Sequence, residues 1–152
     1  MEKEAAVVEM SNTMINTTPF HFPVRIYYED TDSGGVVYYA NYLKYMERAR
    51  TEWLRSLGFE QDRMIEDDGV VFAVRSVAVD YNSPARFNDQ LEVVTTLERL
   101  GRASLSLLQE IRRKGENGVL CMGTVKVASL NAESFRPAAL PKSLFQALQE
   151  MS

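Results

Sequence analysis

The sequence predicts an α+β fold, with an antiparallel five-stranded sheet wrapped around one long central helix and a short C-terminal helix. Two observations carry this. Tyr42, Met46, Ala49, Trp53 and Leu57 recur at spacings of three and four while Lys44, Glu47, Arg48, Arg50 and Arg55 occupy other faces, the pattern of an amphipathic helix. Four runs of strand composition follow, and Gly101 and the Gly115, Glu116, Asn117, Gly118 stretch sit where hairpins would bend. Hairpins imply antiparallel neighbours, and one long helix gives the sheet something to wrap around.

Taken in order, Phe22 to Glu29 reads as a first strand, with valine, isoleucine and two tyrosines. It ends in Glu29, Asp30 and Asp32, and Ser33, Gly34 and Gly35 then make a turn. The helix begins near Tyr39 and runs to Leu57, with Gly58 placed to close it in a left-handed conformation. Asp62 to Gly69 reads as an acidic loop, Val70 to Val79 as a second strand and Tyr81 to Pro84 as a break. Leu91 to Leu100, Ala103 to Arg112 and Val119 to Leu130 read as three more strands in a meander. Pro141 opens the C-terminal helix, which carries Leu144, Phe145 and Leu148 at helical spacing.

A chain of 152 residues, 45% of them hydrophobic, can bury a core without disulfides or metal. Residues 20–152 are expected to form a single domain, preceded by a flexible extension over residues 1–19 that is polar and lacks the apolar stretch of a secretory leader. The net charge of -4 argues against a general nucleic-acid binder. No run approaches the roughly 20 apolar residues of a membrane-spanning helix, so a cytoplasmic protein without membrane insertion is expected. The single cysteine, Cys121, lies in an alternating apolar run and reads as a buried, inert thiol, in keeping with a reducing compartment.

The densest group of reactive side chains, from Tyr27 to Tyr42, lies between the first strand and the helix. Gly34 and Gly35 allow close backbone approach to a ligand, and a helix start offers unpaired N–H groups with partial positive charge. A carboxylate at Asp32, seven residues before Tyr39, could attack a carbonyl or activate a water while those N–H groups polarise the oxygen. On composition alone the same cluster is more often an ordinary turn and cap, and composition by itself carries no enzyme assignment.

The stretch "YYEDTDSGGVVYYANYLKYMERARTEWLRSLG" resembles the opening of the hotdog-fold thioesterases related to 4-hydroxybenzoyl-CoA thioesterase, and within them the bacterial branch associated with the tol-pal system. The resemblance covers about Phe22 to Leu130 and rests on the D-x-D-x-x-G-x-V-Y core and the "ERAR" helix. It implies an acyl-CoA thioesterase that yields free acid and coenzyme A without metal or redox cofactor, the coenzyme being part of the substrate. It maps the catalytic carboxylate onto Asp32 and the carbonyl-polarising backbone onto the Val36 to Tyr39 neighbourhood, with Gly35 and Tyr28 beside the substrate. Many members of the branch carry histidine where this chain has Tyr39, whereas the 4-hydroxybenzoyl type has tyrosine. The only histidine here is His21, so weight shifts to Asp32 and backbone dipoles.

Glu47 is an alternative catalytic group, because some hotdog thioesterases use a helix glutamate; otherwise it would pair with Arg48, Arg50 or Arg55. Glu29 and Asp30 read as solvated turn residues. The family takes coenzyme phosphates from the turn between the third and fourth strands, which maps onto Arg102 first and Arg99 second. The sparse basic set points to weak coenzyme binding or to an acyl carrier protein as donor. The resemblance further implies a homodimer or homotetramer with sites shared between chains. A hotdog dehydratase, which would need a histidine near the motif, and a non-catalytic acyl-binding or scaffold protein are the competing readings.

Overall fold

The computed structural model describes residues 13–14 and 18–151. In chain order the elements are β1 (Thr13–Met14), β2 (Phe20–Arg25), a 3-10 turn (Tyr28–Asp30), α1 (Asn41–Ser56), α2 (Gln61–Asp68), β3 (Val70–Tyr81), β4 (Gln90–Leu100), β5 (Ser104–Arg113), β6 (Val119–Asn131) and α3 (Lys142–Glu150). Five long strands form the antiparallel sheet around α1, the hotdog arrangement, in the order β2–β4–β5–β6–β3. Of the expected N-terminal extension, Thr13 and Met14 pair with Leu100 and Arg99 on the β2 side of β4. The rest of that extension up to residue 17 lies outside the described residues.

Helix α1 buries Tyr42, Tyr45, Met46, Ala49, Trp53 and Leu54. Its first half packs with Leu91, Val93, Ile111 and Cys121, and its second half with Leu97, Leu100, Leu105 and Leu107. The core therefore has two ends, one at the start of β4 and one at its finish. Close approach depends on small residues: a Cβ added at Gly123 would come within 3.1 Å of the Met46 thioether. Among the described residues no helix is long and apolar enough to cross a membrane.

Two connections between elements depart from the sequence reading. The stretch expected as an acidic loop is helix α2, which buries Met64 against Trp53 and Leu54 and ends at Gly69 with φ 65°. One buried residue leaves no readable periodicity, so only the tertiary anchor defines this helix. The link from β3 to β4 is also not a hairpin, because β3 lies at the far edge against β6. Residues 82–89 must therefore cross between opposite sides of the sheet, and this crossing brings Ala85 and Arg86 against the segment that carries Asp32.

Candidate active site

Asp32 sits in a small, fully determined turn. Thr31 bridges to Val37, the Asp32 N–H donates to the Val36 carbonyl at 2.9 Å, and the Gly35 N–H donates to the Asp32 carbonyl at 3.0 Å. The Gly34 N–H donates to Asp32 Oδ1 at 2.8 Å, so one carboxylate oxygen is held and the other is left for chemistry. Gly35 has φ 79°, a left-handed conformation that side chains with a Cβ adopt at a cost. The crossing segment secures the turn from below: Val36 bridges to Arg86, and the Val37 N–H donates to the Ala85 carbonyl at 2.8 Å.

The chain then enters α1. Asn41, Tyr42 and Leu43 turn their N–H groups back onto the carbonyls of Tyr38, Tyr39 and Ala40. Among the described residues none accepts from the N–H of Tyr39 or Ala40. The N-cap residue, Ala40, has no capping side chain, and the first turn of the helix has no acidic residue. Omitting a Ser, Asp or Asn cap costs on the order of 1 kcal/mol, but it leaves the positive end of the helix dipole free for an oxyanion.

Tyr39 is 60% exposed, with its ring against Tyr38 at 5.0 Å and edge-on to Tyr81 at 5.9 Å. Tyr81 in turn meets the buried Tyr42, whose hydroxyl accepts from the Ala85 N–H at 2.9 Å. Tyr39, Tyr42, Tyr81, Val37 and Pro84 wall a cavity of about 230 Å³ beside the helix start. Burial raises the pKa of both Tyr42 and Tyr81, which keeps their phenols protonated. The sequence reading missed Tyr81 and Ala85 because the sheet crossing alone brings them here.

Other candidates lie elsewhere. Tyr28 is 80% exposed on the 3-10 turn, edge-on to Phe87 at 5.4 Å, an aromatic pair on the outer rim. Glu47 is exposed two turns into α1, roughly 12 Å along the axis from Tyr39 at 1.5 Å per residue. It opens onto a cavity of about 270 Å³ with Arg50, Thr51, Trp53 and Phe72. The expected ion pair of Glu47 does not form among the described residues: Arg55 pairs with Glu52 and Glu60, and Arg48 lies over the Tyr45 ring. Arg50 turns inward to donate to Gln109 Oε1 at 3.0 Å. Gln109 is fully buried and donates to the Met46 carbonyl and Thr95 Oγ1, so the core polar network claims the cation first.

Arg102 follows the finish of β4, while the Asp32 turn is tied to residues just before its start. Eleven strand residues separate the two, about 30 Å or more at the usual strand rise. The structure does not bring Arg102 to the Asp32 of its own chain; it places it with Lys142 and Phe145 around a cavity at the other end of the core. Arg99 lies next to the bulge in β4, opposite Ser106. Asp30, expected as solvated, is half-buried and heavily hydrogen-bonded, while Glu29 is exposed.

Cys121 is fully buried, and burial followed by the charge of Asp80 pushes its thiol up to about 12. The folded thiol holds its proton more tightly than the unfolded one, whose pKa is about 8.5. Its contribution to stability is thus complete below about pH 8.5 and fades as the pH climbs from there toward about 12. Urea midpoints measured from pH 8 upward should fall more steeply for the native chain than for Cys121→Ala.

Comparison with known proteins bears on this geometry. The model of the thioesterase-like superfamily matches residues 26–148. The acyl-CoA thioester hydrolase YbgC of Escherichia coli O6:H1 is 45% identical over 130 residues, covering 86% of this chain and 96% of that protein. The acyl-CoA thioesterase YbgC of Haemophilus influenzae is 42% identical over 132 residues, covering 87% and 96%. A crystal structure of a probable thioesterase from Bartonella henselae superposes with a TM-score of 0.76 at 33% identity, covering 82% of this chain and all of that one.

Proposed function

Because this chain belongs to the thioesterase-like superfamily, we propose that it hydrolyses acyl-CoA thioesters to a free acid and coenzyme A at the Asp32 turn. The observation that carries the reading is the pairing of a half-free carboxylate with an uncapped helix start whose Tyr39 and Ala40 N–H groups have no acceptor among the described residues. The thioester carbonyl lies against those N–H groups, which stabilise the oxyanion as the tetrahedral intermediate forms. Asp32, exposed to water, acts as general base on the attacking water through the oxygen that Gly34 does not hold. Collapse of the intermediate expels the coenzyme A thiolate. Tyr39 serves through its backbone and as a wall of the acyl site, and Gly35 and Val36 give the substrate room over the turn. No step needs a metal or a redox group.

In this reading the working unit is at least a dimer and assembles to a homotetramer. Strand β3 is a 12-residue edge, and on its core face Val74, Val77 and Tyr81 remain 48%, 42% and 46% exposed. A second copy pairing there covers both the edge and the valines. The Arg102 surface of a neighbouring chain then holds the coenzyme phosphates, and an acyl carrier protein is the alternative donor. The cytoplasm and the tol-pal association are parts of the same proposal, resting on the composition and on the motif's resemblance.

Thiol release measured over acyl-CoA esters of graded chain length tests the activity. Release from at least one ester is expected, and a folded protein that binds the esters but releases no thiol would instead be an acyl-binding scaffold.

A further inference from the structure

We propose that Asp30, the first carboxylate of the D-x-D pair, forms with Asn41 and Tyr45 a clamp that positions the Tyr39 and Ala40 N–H groups against Asp32; this rests on the thioesterase reading above. The side chain and carbonyl of Asp30 hold different parts of the site. Its Oδ2 accepts from the Tyr27 N–H at 2.7 Å while its own N–H donates to the Tyr27 carbonyl at 3.0 Å, which locks the 3-10 turn on the end of β2. Its carbonyl accepts twice, from the Tyr38 N–H at 3.0 Å and from Asn41 Nδ2 at 2.9 Å. Asp30 and Tyr38 thus form the base of the turn that carries Asp32, and Asn41 fastens that base to the first residue of α1.

Tyr45 lies one helical turn beyond Asn41 on the same face. It is 1% exposed, and its hydroxyl faces the Asp30 carboxylate without completing a well-directed hydrogen bond among the described residues. Asp30 is the carboxylate that acts on it, and after burial the Asp30 charge is the main influence holding the phenol protonated. A buried phenol beside a half-buried carboxylate limits how far the clamp can shift.

The clamp resolves a conflict at the helix start. A capping box would hold the first turn, but its acidic N3 side chain would take the Ala40 N–H and put a negative charge over the donors that the oxyanion needs. Holding the turn through Asp30 and Asn41 keeps it rigid and leaves the Tyr39 and Ala40 donors open. Displacement of reacting groups by about 1 Å is enough to cost on the order of a hundredfold in rate. Asp30 therefore acts through the backbone it holds and is a positioning residue.

Asn41→Ala removes one arm and leaves a good helix former. Thiol release by this variant should show kcat lower by roughly tenfold with KM changed by less than about twofold, since misaligned Tyr39 and Ala40 donors lose contact with the oxyanion, which exists only toward the transition state. Amide exchange at Tyr38 should rise. Asp30→Ala should lose more, roughly thirtyfold, whereas Asp30→Asn keeps an oxygen for the Tyr27 N–H and should return kcat close to that of the native chain. Native kcat in folded Asn41→Ala and Asp30→Ala overturns the clamp, as does a loss confined to KM. If Asp30→Ala does not fold, Asn41→Ala decides alone. If the native chain releases no thiol from any ester, the thioesterase reading fails and the clamp is judged separately on Tyr38 exchange, where an unchanged rate in Asn41→Ala overturns it.

Discussion

Asp32→Asn should lower thiol release by at least about a hundredfold, the usual scale for loss of a general base, while the fold survives. The side chain is exposed, so its replacement opens no cavity. The asparagine oxygen still accepts from the Gly34 N–H, so the turn keeps its shape and the lost rate reports on chemistry. Single turnover in oxygen-18 water extends the test: label found only in the released acid fits the general base, and label recovered in the Asp32 carboxylate would mean direct attack. Retained activity in well-folded Asp32→Asn would transfer the role to Glu47, and Glu47→Gln would then be the inactive variant.

Val77→Asp should convert the proposed oligomer to single chains and remove most of the activity. Val77 pairs with the fully buried Val125, so both side chains point to the core face, yet Val77 is 42% exposed because β6 has no further cover to give it. A carboxylate there would be buried unpaired in any β3 seam, at several kcal/mol. Light scattering reads the mass and thiol release the rate, both at assay concentration. A fully active single chain would rule out a shared site. The position of Arg102 at the far end of its own core gives a second arm: mixing Asp32→Asn protomers with Arg102→Ala protomers should regain part of the activity lost by each alone, because intact halves then meet across chains.

Much of the fold was readable because its signals are local. The stripe from Tyr42 to Trp53 is a property of consecutive side chains, and the structure buries those residues in α1. Gly58, with φ 92°, stands where a left-handed residue ends the helix, and Gly115, with φ 82°, turns the β5–β6 hairpin. The strands were readable to within a few residues for the same reason. The first strand was placed too far along, since Ile26, Tyr27 and Tyr28 continue the strand-like composition of β2, whereas Tyr28–Asp30 close a 3-10 turn on their own hydrogen bonds.

What the sequence by itself determined is the set of elements and the meeting of a glycine turn, a carboxylate and a helix start within ten residues, all of which follow from local backbone preference and periodicity. The tertiary structure decided what depends on distant partners. Only the sheet order puts β3 beside β6, and so forces residues 82–89 across to pin the Asp32 turn and add Tyr81 to its wall. Only packing turns Arg50 inward, leaves Glu47 without an ion pair among the described residues, and makes Asp30 a half-buried anchor where its polarity reads as solvated. A side chain's role at these positions is set by which groups compete for its hydrogen bonds, and those groups lie up to 59 residues away along the chain.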